Sequence, residues 1–275
     1  NGFGLDCQDL NGDGYADIFE TNISHPVDAD YSRKWSDPSL VLINQGPAGK
    51  FAFVNEFLSR GLPFNEGDVD GSTVDFDNDG RFDLAMSRDT KYEGSYTGAD
   101  QKSWFGLMHQ KADGSYESVG VKSGINDTSM MPLWKRMKGA QNHAWSDIDH
   151  DGDPDLLVGG RDQGGGRPNF LFRNELGSHN AWLALRLRGD GKQVNRDAIG
   201  AMVTVEAGGR KIVREIKSSR GTYNSLDTRT LLFGLGDTSC AASVTVRWPS
   251  GKVDTFKDVA LGQYRTIDMV AGISP

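Results

Sequence analysis

Short apolar or alternating runs recur along the first two thirds of the chain, each bounded by Gly, Asn, Asp or Pro. Runs of this kind are typical of β-strands. The segments around them carry no helical periodicity. The pattern predicts an all-β fold with strands near residues 18–22, 40–44, 51–54, 82–86, 104–108, 116–119, 156–158 and 170–174.

The pattern changes after about residue 175, where longer alternating runs are separated by tight turns. Residues 182–188 alternate like a half-buried strand. Two further pairs of runs flank Gly-containing turns and read as hairpins, at residues 202–216 and 244–256. We therefore divide the chain into a first unit, residues 1–175, and a second all-β unit, residues 176–275, which we predict to be a small sandwich or barrel.

An acidic loop occurs three times, at residues 9–17, 75–83 and 147–155, and reads D-x-[DN]-x-[DN]-G-x-x-D. Alternate side-chain oxygens of a tight loop can converge on one hard cation such as calcium, and the Gly at position 6 permits the turn. Without a counter-ion, the clustered acids would repel one another, so acidic turns that hold no ion are the less favoured alternative. The predicted ligands, with position 7 giving its carbonyl, are Asp9, Asn11, Asp13, Tyr15 and Asp17; Asp75, Asp77, Asp79, Arg81 and Asp83; and Asp147, Asp149, Asp151, Asp153 and Asp155.

The spacing of the loops favours a β-sheet repeat over an EF-hand. The loops begin at residues 9, 75 and 147, so they lie 66 and 72 residues apart, which suits one four-stranded sheet per repeat. The first loop has the Glu that an EF-hand needs at position 12, Glu20, but the other two have Met86 and Val158 there.

The loops, their spacing and the similar segments 38–46 and 168–174 resemble FG-GAP/VCBS repeats, the blades of integrin-alpha-like β-propellers. The resemblance covers about residues 1–175 and implies that each loop joins two strands of a blade and binds calcium, about three ions in all. Only two blades and part of a third are present, whereas propellers close with about four to eight. We expect further blades from a missing N-terminal part of the protein, with blades from another chain or an open arc as alternatives.

The second unit resembles the ASPIC/UnbV domain. Four marker segments occur in the order found in that domain, at residues 180–183, 195–201, 233–236 and 248–251. The domain follows FG-GAP/VCBS repeats in proteins that resemble the cartilage acidic protein 1 family, so the two resemblances support each other. They imply a partial β-propeller followed by a small β-domain, and they attach no activity to it.

The composition of the chain bears on which binding partners it has, on membrane insertion and on disulfide formation. Its 275 residues carry a net charge of −8 without a basic stripe, which argues against a nucleic-acid partner. No apolar run reaches the length of a membrane span. The two cysteines, Cys7 and Cys240, either form one disulfide or remain separate thiols.

Two further motifs have a functional and a structural interpretation. Residues 123–145 contain methionine, tryptophan and histidine, which suit either a soft-metal site or, as we prefer, a connecting loop packed on a blade. The tripeptide 188–190, Arg-Gly-Asp, is either an adhesion motif or a hairpin turn, and we prefer the turn. In the segment 123–145, the residues considered for a soft-metal site are Met130, Met131, Trp134, Met137, His143 and Trp145.

No catalytic or cofactor-binding residue is predicted. The histidines lack a zinc-binding spacing, and no G-x-S-x-G elbow is present. We expect a secreted binding or adhesion module, extracellular or periplasmic, that recognises protein or glycan and uses calcium structurally, because extracellular calcium sites are tuned to millimolar concentrations. The alternatives are an enzyme or biosynthetic accessory acting on a small molecule, and a structural surface or fibre component.

Overall fold

The computed structural model describes residues 2–23, 38–63, 67–88, 104–126, 140–160, 169–219 and 227–275. Within these residues the chain forms strands β1–β19 and a single-turn 3-10 helix, Gly177–His179. The strands make five sheets, none closed into a barrel, which confirms the predicted all-β class. In the same residues no helix has the length and apolar character needed to cross a membrane.

The first unit contains three sheets in which each strand pairs with the next one along the chain. All of these pairings are antiparallel. The first sheet is β1 (Gly2–Gln8), β2 (Asp17–Asn22), β3 (Leu40–Asn44) and β4 (Phe53–Asn55); the second is β5 (Asp68–Val74), β6 (Asp83–Arg88), β7 (Phe105–Gln110) and β8 (Tyr116–Ser118); the third is β9 (Ala140–Ser146), β10 (Asp155–Gly160) and β11 (Phe170–Phe172).

The three sheets stack on one another through their apolar faces. One buried cluster joins the first sheet to the second, with Phe19 and Val41 against Leu84 and Met86. A second cluster joins the second sheet to the third. The leading strands also meet in order, β1 against β5 and β5 against β9. This arrangement is propeller-like, with the leading strands innermost.

The second unit is a sandwich of two four-stranded sheets that share one apolar core. Large buried side chains from both sheets fill the core, among them Leu185, Phe233 and Val244. One pairing, β12 with β18, is parallel. One sheet runs β15-β12-β18-β19 and the other β14-β13-β16-β17, with β12 (Ala181–Arg188), β13 (Met202–Ala207), β14 (Arg210–Glu215), β15 (Leu231–Gly236), β16 (Ala242–Arg247), β17 (Val253–Val259), β18 (Gln263–Asp268) and β19 (Gly272–Ser274).

The prediction of a connecting loop at residues 123–145 was wrong for the end of that segment, which forms the innermost strand β9. His143 is buried there, and its ring nitrogens hydrogen-bond the hydroxyls of Ser72 at 2.7 Å and Ser87 at 2.9 Å. Both nitrogens are therefore engaged by the neighbouring sheet. The other members of the proposed soft-metal motif, Met130, Met131, Trp134 and Met137, lie outside the described residues.

The hairpin predicted at residues 188–190 was also wrong, because β12 and β13 belong to different sheets. The segment between them is a crossover. The Asp190 carboxylate accepts hydrogen bonds from three successive backbone N–H groups, of residues 192, 193 and 194, each at 2.9 Å. That carboxylate thus has a structural role in the turn. Cys7 and Cys240 are free thiols, so they do not form a disulfide in this structure.

Candidate metal centres

Each acidic loop connects the first two strands of its sheet, and all three loops share one backbone geometry. The residue at position 4 has a positive φ in every loop, as does the Gly at position 6. A positive φ is costly for most residues, so this agreement reflects a common fold of the loop and not chance. The φ values are 76°, 55° and 63° at Gly12, Asn78 and His150, and 90°, 86° and 99° at Gly14, Gly80 and Gly152.

The carboxylate of the first aspartate in each loop accepts a hydrogen bond from the backbone of the same loop. Its Oδ2 accepts the N–H of the position 6 glycine at 2.8 Å in the first loop, 3.0 Å in the second and 2.8 Å in the third. The acid at position 5 accepts the N–H of position 7 in the same way, as in the Asp79 bond to Arg81 at 2.9 Å. These bonds hold the side chains of positions 1 and 5 inside the loop.

The aspartate at position 9 ties the loop to its sheet. Asp83 Oδ2 accepts the N–H of Phe76 at 3.2 Å, and Asp83 Oδ1 accepts the N–H of Gln110, at the end of the third strand, at 2.7 Å. Asp17 and Asp155 make the matching pairs of bonds, with distances of 2.7–2.9 Å. All three carboxylates are buried, so position 9 is structural whether or not it also contacts an ion.

The second and third loops gather oxygens closely enough for one cation. Carboxylate oxygens of Asp75, Asp77 and Asp79 lie within 4.8 Å of one another, as do those of Asp147, Asp149 and Asp155. In each set the Oδ1 of the first aspartate, Asp75 or Asp147, is shielded from solvent and has no hydrogen-bond partner among the described residues. A buried carboxylate oxygen without a partner is costly, and a cation removes that cost.

The first loop is more open than the other two. Asn11 replaces an acid at position 3, and its Nδ2 donates to Asp13 Oδ2 at 3.0 Å. Residues 11–14 of this loop are exposed. Positions 1 and 5 offer carboxylate oxygens as in the other loops, and Asn11 offers an amide oxygen at position 3, so the first loop would present one negative charge fewer to a calcium ion.

Electrostatics within the loops also favour a bound cation. Burial raises the pKa of Asp83 to about 7 and that of Asp17 to about 6. The pKa of Asp75 lies well above its usual range because the carboxyl is buried and Asp83 is near. Each shift arises mainly because burial disfavours the ionised carboxylate, and a bound cation would stabilise that ionised form. The donor set of hard oxygens therefore fits calcium, although the position 7 carbonyls stay a prediction.

Sequence reasoning missed two residues that approach the second and third loops, His109 on β7 and Arg173 directly after β11. His109 Nδ1 lies 3.2 Å from Asp83 Oδ1 and 3.6 Å from Asp77 Oδ2. Arg173 Nε lies 2.8 Å from Asp149 Oδ2. Each directly precedes the residue whose N–H binds the position 9 aspartate, so the similar strand endings were a signal for this contact.

Comparison with known proteins identifies the second unit. Residues 191–273 match the family model described as ASPIC and UnbV. This part of the chain is an ASPIC/UnbV domain. The prediction for the second unit is confirmed over that range, and the FG-GAP/VCBS resemblance of the first unit stays a prediction. The match begins just after β12, which pairs with β15 and β18 of the domain.

The other comparisons add no function. A crystal structure of a "putative cell adhesion protein" from Bacteroides uniformis is similar over 99% of this chain and 88% of its own, with 12% sequence identity and a TM-score of 0.21. A TM-score this low identifies neither a shared fold nor a shared activity. No curated protein matches the chain.

The second unit contacts the second acidic loop directly, through the ASPIC/UnbV domain and through Asn180, which precedes β12. Gly236 N–H donates to Asn78 O at 2.9 Å, Asn180 Nδ2 donates to Asp77 O at 2.8 Å, and Arg210 donates to Asp79 O. Asn78 Nδ2 in turn donates to Gly152 O of the third loop at 2.7 Å. The second loop is therefore held between the third loop and the domain.

The third acidic loop is covered by aromatic side chains of the second unit. Tyr264 Oη donates to Asp147 Oδ2 at 2.6 Å, and the Tyr264 ring packs against the His150 ring with centroids 4.7 Å apart and planes inclined by 34°. Trp182 lies against Gly152 so closely that a Cβ there would be 1.9 Å from Trp182 Cε2. In the described residues the first loop makes no comparable hydrogen bond to the domain.

A partly buried ion pair also joins the two units. Lys217 Nζ donates to Asp6 Oδ1 at 2.8 Å and to the Cys7 carbonyl. Burial raises the pKa of Asp6, but Lys217 and Thr73 outweigh it and hold that pKa below its usual range. We expect Lys217→Met to lower the free energy of unfolding by about 3 kcal/mol, because it leaves the buried Asp6 charge without its partner.

Urea denaturation checks this expectation, with Lys257→Met as the control. Lys257 is an exposed lysine on β17, where loss of the charge is expected to change stability by less than about 0.5 kcal/mol. Equal losses in the two variants would show that the Asp6 pair does not hold the units together.

Proposed function

We propose that this protein is a calcium-binding recognition module of the extracellular space or periplasm. In this proposal, FG-GAP/VCBS-type blades and the ASPIC/UnbV domain form one scaffold that recognises protein or glycan, and calcium is structural. The observation that carries the proposal is the shared geometry of the three acidic loops, two of which contain a buried carboxylate oxygen without a partner.

The place of the loops supports a structural role for the ion. Every predicted ligand set lies in a turn between two strands, and position 9 fastens that turn to the end of the third strand. A cation there would join the turn to the sheet and neutralise acids that otherwise repel one another. Calcium sites of extracellular modules have dissociation constants of about 0.1–1 mM, which suits a compartment rich in calcium.

Native mass spectrometry of the full chain tests the calcium proposal. We expect three bound calcium ions in the wild-type protein and two in the Asp13→Asn variant, because position 5 of the first loop would lose a charged ligand oxygen. Asp13 is exposed and contacts only its own loop, so the fold should persist. Glu117→Gln, an exposed acid on β8, is the control and should keep three ions. A wild-type protein without bound calcium would refute the proposal.

A further inference from the structure

An imidazole nitrogen faces the second acidic loop, which distinguishes this loop from the other two. The residue just before the backbone N–H that anchors position 9 is Ile43 in the first sheet, His109 in the second and Arg173 in the third. Isoleucine offers no donor atom to a metal ion, and the Arg173 guanidinium, 2.8 Å from Asp149 Oδ2, offers no lone pair. A neutral histidine ring offers one, so at this place only the second loop adds a nitrogen ligand to its oxygens.

The donor atoms around His109 have the spacing of ligands on a small tetrahedral ion. His109 Nδ1 lies 3.2 Å from Asp83 Oδ1 and 3.6 Å from Asp77 Oδ2. Ligands at about 2.0–2.2 Å from a zinc ion, arranged as a tetrahedron, lie about 3.3–3.6 Å from one another. All three residues offer ligand atoms within 4.8 Å of one another, and in the described part of the chain this is the close set that combines imidazole with carboxylates.

Neighbouring groups hold these donors in place and leave them reachable. The His109 ring packs edge-on against Phe76, with centroids 5.8 Å apart. Asp83 Oδ1 accepts the N–H of Gln110 at 2.7 Å, and a carboxylate oxygen has a second lone pair for an ion. The side chains of His109 and Asp77 are 20% and 25% exposed, so an ion and a bound water can enter from solvent.

An independent feature of the same loop also indicates a bound cation. Asp75 Oδ1 is shielded from solvent and has no hydrogen-bond partner among the described residues. Asp77 belongs both to the all-oxygen set with Asp75 and Asp79 and to the mixed set with Asp83 and His109. The two sets share a ligand, so calcium and an ion bound by His109 would compete for the loop. Calcium prefers six to eight oxygens, whereas zinc accepts imidazole and needs about four ligands.

From these features we infer that the second acidic loop is a site for zinc, bound by His109 Nδ1, Asp77 and Asp83 with water as the fourth ligand, and that zinc displaces calcium from this loop alone. The inference rests on the proposed function, because it takes all three loops to be calcium sites when zinc is absent. It makes His109 the residue that determines the metal specificity of the second loop, while the first and third loops stay calcium sites.

Equilibrium dialysis of the full chain, followed by elemental analysis of the bound metals, tests the inference. The dialysis buffer contains about 1 mM calcium, the concentration to which weak extracellular sites are tuned. With calcium alone we expect three calcium ions per chain. After addition of zinc chloride equimolar to the protein, we expect two calcium ions and one zinc ion. Any other stoichiometry in the presence of zinc would overturn the inference.

Two histidine variants locate the zinc ion. His109→Gln should weaken zinc binding at least about tenfold, because even a change to a group that only supports a metal ligand costs about 10–100-fold in affinity. His179→Gln is the matched control, since His179 is exposed at the end of the 3-10 helix, and it should keep zinc affinity within about twofold. Equal zinc affinity in the wild-type protein and a folded His109→Gln variant would place the ion elsewhere.

Cobalt(II) in place of zinc gives a test on the unaltered chain, which also serves if His109→Gln does not fold. Cobalt(II) absorbs visible light more strongly in a tetrahedral site than in an octahedral one, so we expect an intense visible band that equimolar zinc abolishes. A weak spectrum of the octahedral kind would overturn the inference. The dialysis separates the two ways of failing: three calcium ions that zinc does not displace would refute the zinc site alone, whereas absence of calcium from the zinc-free sample would refute the proposed function.

Discussion

Removing calcium with EDTA is expected to lower the melting temperature of the full chain by well over about 10 °C. In about 10 mM calcium, which is about one hundred times a dissociation constant of about 0.1 mM, each bound ion stabilises the protein by about 2.7 kcal/mol, so three independent sites contribute about 8 kcal/mol. In a chain of this size, about 1 kcal/mol corresponds to about 2–4 °C. The buried, unpartnered oxygens of Asp75 and Asp147 are the physical reason, because the ion-free protein leaves them uncompensated.

The loss should not be confined to the blades. The second and third loops are held against the second unit by Gly236, Asn180 and Tyr264, so loosening these loops removes the surface on which that unit packs. We expect hydrogen exchange to quicken in β12 and β18 as well as in β6 and β10 after chelation. Magnesium, added in place of calcium, is the matched control and should restore little, because it demands a tighter octahedral geometry.

Melting curves and exchange rates that stay the same after verified chelation would contradict the structural role of calcium. Loss of protection in the blades alone, with β12 and β18 unchanged, would retain the ion sites but refute their coupling to domain docking. Differential scanning calorimetry of the same samples reports whether one transition or two accompanies calcium removal.

The loops could be predicted from the sequence because their chemistry is local. Alternate acidic residues and a Gly at position 6 define one turn within nine residues, and the structure gives that turn the same φ signs three times. The strands after each loop could be predicted for a similar reason. They bury one apolar face, as at Phe19, Val41 and Leu84, and the period of two is visible in the chain.

The innermost strands could not be predicted in this way. β5 reads Asp-Val-Asp-Gly-Ser-Thr-Val and is buried at every position, while β9 carries Asn142, His143 and Ser146. A search for strands by hydrophobic pattern expects buried strands to be apolar. In these strands, polar side chains are buried because they form hydrogen bonds with the adjacent sheets. His143 between Ser72 and Ser87 is one instance, and Asp6 bound to Thr73 is another.

The contacts between the two units could not be predicted from the sequence either. Asn78 and Gly177, or Asp147 and Tyr264, lie about a hundred residues apart in the chain and come together only through the packing of whole sheets. The motif leaves position 4 of the loop unspecified, whereas Asn78 at that position contacts both the third loop and the domain. Contacts of this kind produce no periodic pattern in the sequence from which they could be predicted.

Substitution of Gly152 by Ala is expected to cost far more stability than the same change at Gly14, although both occupy position 6 of an acidic loop. The φ values are nearly equal, 99° and 90°, so the backbone strain of an added Cβ is shared and amounts to about 1–2 kcal/mol. Only Gly152 faces the second unit, where the Cβ would lie 1.9 Å from Trp182; nothing lies within 4 Å at Gly14. Overpacking adds about 1–3 kcal/mol, so we expect about 2–5 kcal/mol for Gly152→Ala.

The difference between the two variants measures how much the docking of the third loop against Trp182 contributes to the whole protein. Denaturation in saturating calcium gives both free energies of unfolding, and native mass spectrometry verifies that each variant still binds its ions. Gly80→Ala should lie between them, because its Cβ meets the movable end of Arg210 at 2.9 Å and a carbonyl at 3.1 Å. Should Gly152→Ala and Gly14→Ala prove equally stable, the contact with Trp182 would yield without cost, and the Tyr264–Asp147 bond, the second loop and the Lys217–Asp6 pair would remain as the contacts that join the units.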